Sequence, residues 1–108
     1  MARKKNTGSD LVRSLCDYLA LKKYFFYRSN NIPAFEWKTK QFRAMPKYAP
    51  KGLVDIVLVK DGIYVGIEAK SGSGRLSVAQ RGFRDELQAA GGRYYEIRSL
   101  DELLAAGF

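Results

Sequence analysis

Apolar positions along the chain change their period several times, and each change marks an element. In "SDLVRSLCDYLALKK", Ser9 to Lys23, Leu11, Leu15 and Leu19 recur at four-residue spacing with Val12 beside them, which predicts an amphipathic helix. Ser9 is placed to cap it, and Asp10 in the first turn suits the positive end of the helix dipole. The aromatic run "YFFYRS" predicts a strand. The next segment mixes a short strand around Ala34–Lys40 with a Pro-containing basic loop.

Two apolar runs, Val54–Val59 and Ile63–Ala69, flank Asp61-Gly62. Asp-Gly between such runs predicts a hairpin, because a type I′ turn needs positive φ at both central positions. "LSVAQRGFRDELQAAGG" predicts a helix capped by Ser77 and stopped at Gly91-Gly92, since glycine alone takes up the left-handed end without strain. "RYYEIR" predicts another strand, and "SLDELLAAGF" a short helix with Ser99 and Glu102 spaced as a capping box. This order implies an α/β fold, an α+β sandwich with a mixed sheet. The strand–helix–strand step from the hairpin to "RYYEIR" should be a parallel, right-handed crossover. There is no internal repeat; residues 1–8 read as a basic disordered arm and 9–108 as a single domain.

Composition narrows the chemistry. With 108 residues, 46% of them apolar, the chain can build one core. It carries 19 Lys+Arg against 11 Asp+Glu, a net charge of +8, and a compact basic domain attracts polyanions, nucleic acid first among them. Histidine is absent and Cys16 is the sole cysteine, which excludes Cys/His zinc sites, His-based triads and intrachain disulfides. A bound metal would need oxygen ligands, favouring Mg2+ or Mn2+. No apolar run approaches the roughly 18 residues of a membrane span, and "MARKKNTGSD" leads into no signal-peptide core. A cytoplasmic protein is expected.

Against this background Asp55, Glu68 and Lys70 stand out, set in the most apolar segment of the chain. If Asp61-Gly62 is a two-residue turn, Lys60 opposes Ile63, and the same register sets Asp55 opposite Glu68. Their Cβ atoms would then be roughly 4.5–5.5 Å apart on one face, and Lys70, two residues beyond Glu68, would point the same way. Val54, Ile56, Val57, Leu58, Val59, Val65 and Ile67 suggest strands covered on both faces. Like charges opposed in such a place repel. A divalent cation between them would remove the repulsion, and Lys70 would then act on a water or on developing negative charge. The plainer alternative puts both acids at the sheet rim, neutralised by Lys70 and an arginine.

"GLVD", the thirteen-residue step from Asp55 to Glu68, and "EAK" resemble the G-x-x-D…E-x-K active site of the PD-(D/E)XK nuclease superfamily. "YRSNN", "GLVDIVLV" and "GIEAKSGSGRLSVAQRGFRDELQAAGGRYYEIRSLDEL" resemble its VRR-NUC domain, including the S-x-x-Q helix start, over about Ser9 to Leu103. The resemblance implies a restriction-endonuclease-like αβββαβ core and a metal-dependent phosphodiesterase acting on DNA, known as standalone phage and bacterial domains. It implies Asp55 and Glu68 as metal carboxylates, the Ala69 backbone carbonyl as a further ligand, and Lys70 and Gln80 as catalytic groups, Gln80 supporting the attacking water or the phosphate. Ser77-x-x-Gln80 fits a capping box equally well. The family's first-helix glutamate falls nearest Asp10, one methylene shorter, where contact with a metal through a water competes with a role in stabilising the helix dipole.

DNA contacts are expected from Lys38, Lys40, Arg43, Lys47 and Lys51, with Phe42 and Tyr48 among them for sugar or base contact. A solvated basic loop is the alternative. Arg28 and Asn30 would meet a phosphate near the metal, and Arg75 and Arg81 flank the Gln80 helix start, where backbone N–H groups favour an anion. No base-reading motif is present, so DNA shape rather than sequence would be recognised. The resulting expectation is a structure-selective DNA endonuclease, in its resolvase form a homodimer cutting a Holliday junction. Flap, nick or single-strand cleavage by the same chemistry, and a non-catalytic basic DNA-binding module, remain open.

Overall fold

The computed structural model describes residues 8–29 and 47–108, and the backbone of 35–36 and 41–42. Helix α1, Gly8–Leu21, presents Val12, Leu15 and Leu19 as its buried stripe, as their spacing predicts. It begins one residue earlier than expected, so Ser9 lies inside the first turn and is not the cap. Of the arm expected over residues 1–8, Gly8 belongs to α1 and the rest lies outside the described residues. The helix also stops two residues short of Lys23, which adopts φ +62. Lys23 N–H donates to Ala20 O and Tyr24 N–H to Leu19 O, a Schellman closure with lysine in the position glycine usually fills.

Strand β1, Phe25–Arg28, pairs antiparallel with β4, Ile56–Lys60. Between them lie β2, Phe35–Glu36, within the expected strand segment, and β3, Gln41–Phe42, which together form a separate two-stranded ribbon. Strand β5, Ile63–Ala69, returns antiparallel to β4 with Lys60 opposite Ile63 and Ile56 opposite Ile67. Asp61 (φ +54) and Gly62 (φ +76) supply the positive φ angles of the turn. Helix α2, Val78–Ala89, crosses over to β6, Arg93–Ile97, which runs parallel to β5. Helix α3, Leu100–Ala105, follows. The main sheet is thus mixed, four-stranded, in the order β1-β4-β5-β6 and flanked by helices.

On one face, α1 and α3 pack Val12, Leu15, Leu19, Leu103 and Phe108 against Ile56, Leu58, Val65, Ile67 and Ile97. Leu15, Leu19 and Leu103 are fully buried, and truncating such a leucine costs about 2–5 kcal/mol. On the other face α2 lies over the sheet with no residue of its own fully buried. Gly66 makes this close approach feasible, because a Cβ there would stand 2.9 Å from Val54 Cγ1 and 3.3 Å from Leu87 Cδ2. Coverage on both faces therefore holds for the inner part of the hairpin, while Val59 at its outer end is 38% exposed. Among the described residues, no helix is long and apolar enough to cross a membrane.

Both later caps form, with one change. Ser77 Oγ accepts from Gln80 N–H (3.1 Å) while Gln80 Oε1 accepts from Ser77 N–H (2.8 Å), a complete capping box. Ser99 Oγ accepts from Glu102 N–H at 3.1 Å, but the Glu102 carboxylate takes Arg98 N–H (2.7 Å). The expected box at Ser99 is therefore half formed, displaced by one residue at its reciprocal end.

Candidate active site

The hairpin ladder ends two residues earlier than its apolar pattern predicts, and the ending builds the site. Two steps on, the same register would set Val54 opposite Ala69. Instead Ser29 Oγ donates to Val54 O, and Ser29 N–H donates to Asp55 O (2.9 Å). Ala69 N–H then takes a side-chain acceptor, Asp55 Oδ2, at 2.8 Å. A ladder bond is replaced by a carboxylate, which holds Asp55 beside the end of β5.

Glu68, on β5, is 3% exposed. Its Oε1 accepts from Gln80 Nε2 at 2.8 Å and lies 3.8 Å from Lys70 Nζ. Its Oε2 is buried and has no hydrogen-bond partner among the described residues. Burial first, then the negative charge of Asp55, push the Glu68 carboxyl from 4.5 up to about 8, and Lys70 opposes the shift only in part. A carboxylate left so is costly near neutral pH unless a proton or a cation joins it.

These groups face an open cavity of about 320 Å3. It is lined by Asp55, Glu68, Ala69 and Lys70, by Gly8, Ser9 and Val12 of α1, and by Arg28 of β1. The ladder stops at Ile56 and Ile67, before the expected Asp55–Glu68 pair, yet the two acids and the ammonium group line one cavity.

Gln80 joins them through Glu68, with its other amide atom held by Ser77. The capping role and the site role, opposed as alternatives on sequence grounds, are both filled by one side chain. Asp10 differs: its Oδ1 accepts from Arg13 at 2.7 Å, and it is not among the cavity-lining residues. Among the described residues, no group of three or more His, Cys, Asp or Glu side chains could hold a metal.

Two carboxylate groups, one of them with an unused buried oxygen, suit Mg2+. That ion keeps several waters and takes one or two protein carboxylates, with phosphate oxygens completing the shell. The donor set is all oxygen, and the orphaned Glu68 Oε2 is the atom that a cation would satisfy. The residues present fit the group.

Of the expected DNA contacts, Arg28 is exposed on the cavity wall, and Arg75 and Arg81 are exposed around the start of α2. Lys51 is exposed, as is Lys47, whose Nζ sits 5.2 Å from the centroid of the Tyr48 ring. Asn30, Lys38, Lys40 and Arg43, and the side chain of Phe42, lie outside the described residues.

Three contributors escape sequence reasoning. Ser29 ends the ladder. Gly52, at φ +70, leaves no room for a side chain: a Cβ would fall 2.3 Å from Ala79 C and O and 2.6 Å from Gln80 N. The segment leading to Asp55 thus rests directly on the backbone of the first turn of α2. Its signal was present in the G-x-x-D spacing, without its reason. Arg98, which binds the loop after Lys70, had no signal at all. No family model and no curated protein matches the chain.

Proposed function

We propose that the chain is a Mg2+- or Mn2+-dependent, structure-selective DNA endonuclease of the VRR-NUC type, acting on branched DNA as a homodimer. The observation that carries this reading is the buried Glu68 Oε2, unpartnered among the described residues, on a side chain that lines the same cavity as Asp55 and Lys70. Asp55 and Glu68, with the Ala69 carbonyl, would hold the cation, which supplies Lewis-acid stabilisation of phosphate charge when bound. Gln80 orients Glu68. Lys70 orients the attacking water or neutralises charge gathering on the phosphate, and Arg28, which lines the same cavity, holds a non-bridging phosphate oxygen. In-line attack by water on phosphorus breaks the bond to the 3′ oxygen, leaving 5′-phosphate and 3′-hydroxyl ends. The net charge of +8 supports DNA as the polyanion, with recognition of shape.

The test is cleavage of labelled linear duplex, nicked, flap and four-way-junction DNA, with Mg2+ or with EDTA. Metal-dependent cutting strongest on the junction, abolished in Asp55→Ala while DNA binding persists, is the expected result. Flap or single-strand preference would keep the chemistry and change the substrate. Binding without cleavage in any divalent metal would make the chain a non-catalytic DNA-binding module. Sedimentation with and without junction DNA tests the dimer.

A further inference from the structure

Lys70 and the Ser77–Gln80 cap are joined by residues 71–76, a segment in neither helix nor strand that contains Gly72 (φ +58) and Gly74. Such a linker carries maximal backbone freedom, yet the groups at its two ends must meet at Glu68. At its far end Leu76 is buried and its carbonyl accepts from Arg81 at 3.5 Å, while nearer Lys70 Gly74 N–H donates to Ser71 O at 3.2 Å.

Its glycine turn is held by a side chain distant in the chain. Arg98, just beyond β6, donates from one terminal nitrogen to Gly72 O (2.9 Å) and from the other to Gly74 O (2.6 Å). That second nitrogen also meets Glu96 Oε1 at 2.6 Å, and the Arg98 backbone N–H is held by Glu102. Gly74 in turn faces the aliphatic stem of Lys70: a Cβ there would lie 3.8 Å from Lys70 Cδ. The rigid fork of guanidinium suits two carbonyls at fixed separation, and a lysine ammonium cannot reproduce it.

We propose that Arg98 is a positioning residue for the nuclease site: by clamping the Gly72 and Gly74 carbonyls it fixes the 71–76 loop so that Lys70 and Gln80 converge on Glu68. The inference rests on the proposed function for its catalytic consequence, and on geometry alone for the clamp. Its guanidinium is taken up by two carbonyls and a carboxylate, which distinguishes it from a free phosphate contact.

The experiment compares Arg98→Lys and Arg98→Met with the wild-type full chain. Hydrogen exchange of the Gly74 and Ser77 amides, whose N–H groups are bonded within this segment and its cap, should accelerate about tenfold or more in both variants, while those of β4 and β5 keep their protection. On the best-cut DNA, kcat should fall ~10- to 100-fold with KM within about twofold, because a misplaced group loses transition-state contact. Arg98→Lys, which keeps the charge, should rescue little. Unchanged exchange at Gly74 and Ser77 would overturn the clamp. So would a raised KM and a weaker salt dependence at constant kcat, which would make Arg98 a phosphate contact. If the wild type cuts no DNA, the function reading fails while the exchange measurement still decides the clamp. Arg98→Lys decides it should Arg98→Met fail to fold.

Discussion

Gln80 Nε2 donates to Glu68 Oε1 at 2.8 Å, while Gln80 Oε1 accepts from the Ser77 backbone N–H. The cap fixes which way the amide points. With its oxygen committed to Ser77, Gln80 presents a donor to Glu68, and the donor settles which carboxylate oxygen stays free for a cation.

Gln80→Glu should therefore separate the two roles. Glutamate still accepts from Ser77 N–H, so the cap survives and urea melts at mildly acidic pH should move by less than about 1 kcal/mol. Its second oxygen meets Glu68 with a like charge in place of a donor, and turnover should fall by about two orders of magnitude. Gln80→Ala should lose turnover as well as about 1 kcal/mol of cap stability. Gln80→Glu turning over like the wild type would remove Gln80 from the site.

Glu68 sets the pH dependence of stability. Its folded-state value is raised from 4.5 to about 8, so the folded state binds more proton than the unfolded state between those limits. Stability should be full below about pH 4.5, fall as pH rises through the window and level off above about 8, a loss on the order of a few kcal/mol in metal-free buffer. Mg2+ or Mn2+ should raise Tm more at pH 8 than at pH 5, because only the ionised carboxylate binds it. Glu68→Gln should flatten the slope, exceed the wild type in metal-free stability at pH 8, and cut no DNA. A wild-type Tm indifferent to metal at pH 8 would contradict the cation site.

Gly52 and Gly62 share a left-handed backbone, with φ +70 and +76, yet differ in surroundings. At Gly62 nothing lies within 4 Å of a would-be Cβ, whereas at Gly52 the α2 backbone does. Gly62→Ala should cost about 1 kcal/mol, from backbone strain alone. Gly52→Ala should cost about 2–4 kcal/mol and reduce turnover too, since it displaces Gln80. Equal losses in denaturant titrations would mean that the contact with α2 carries no weight.

Tyr94, on β6, has a buried hydroxyl with no hydrogen-bond partner among the described residues, and burial, followed by the charge of Glu68, pushes it above its usual value. Its ring lies 6.5 Å from that of Phe83. Tyr94→Phe keeps the ring packing and removes the unsatisfied group, so stability should hold or rise by up to about 1 kcal/mol with cleavage unchanged. A drop in turnover would place the hydroxyl in the reaction.

Much of the scaffold is a local matter. Asp61-Gly62 takes the positive φ angles of a two-residue turn, and the turn propagates its register to Ile56 and Ile67, bringing Asp55 and Glu68 to the same cavity. Ser77 and Gln80 form their box within one helical turn, and Leu15 and Leu19 lie on one helix face because four residues make about one turn. In each case the interacting groups are a few residues apart, or tied by a turn that admits one register, so the order of residues alone determines them.

What only tertiary structure decided lies between residues far apart in the chain. Ser29 takes the Val54 carbonyl and frees Ala69 N–H for Asp55; Gly52 seats the chain on α2; Arg98 reaches back to Gly72 and Gly74. None of these has a period, a turn type or a cap to announce it, because each depends on where the packed core leaves two separate backbones. Likewise Glu68 could be read as a paired rim residue until packing removed it from water and left one of its oxygens without a partner among the described residues.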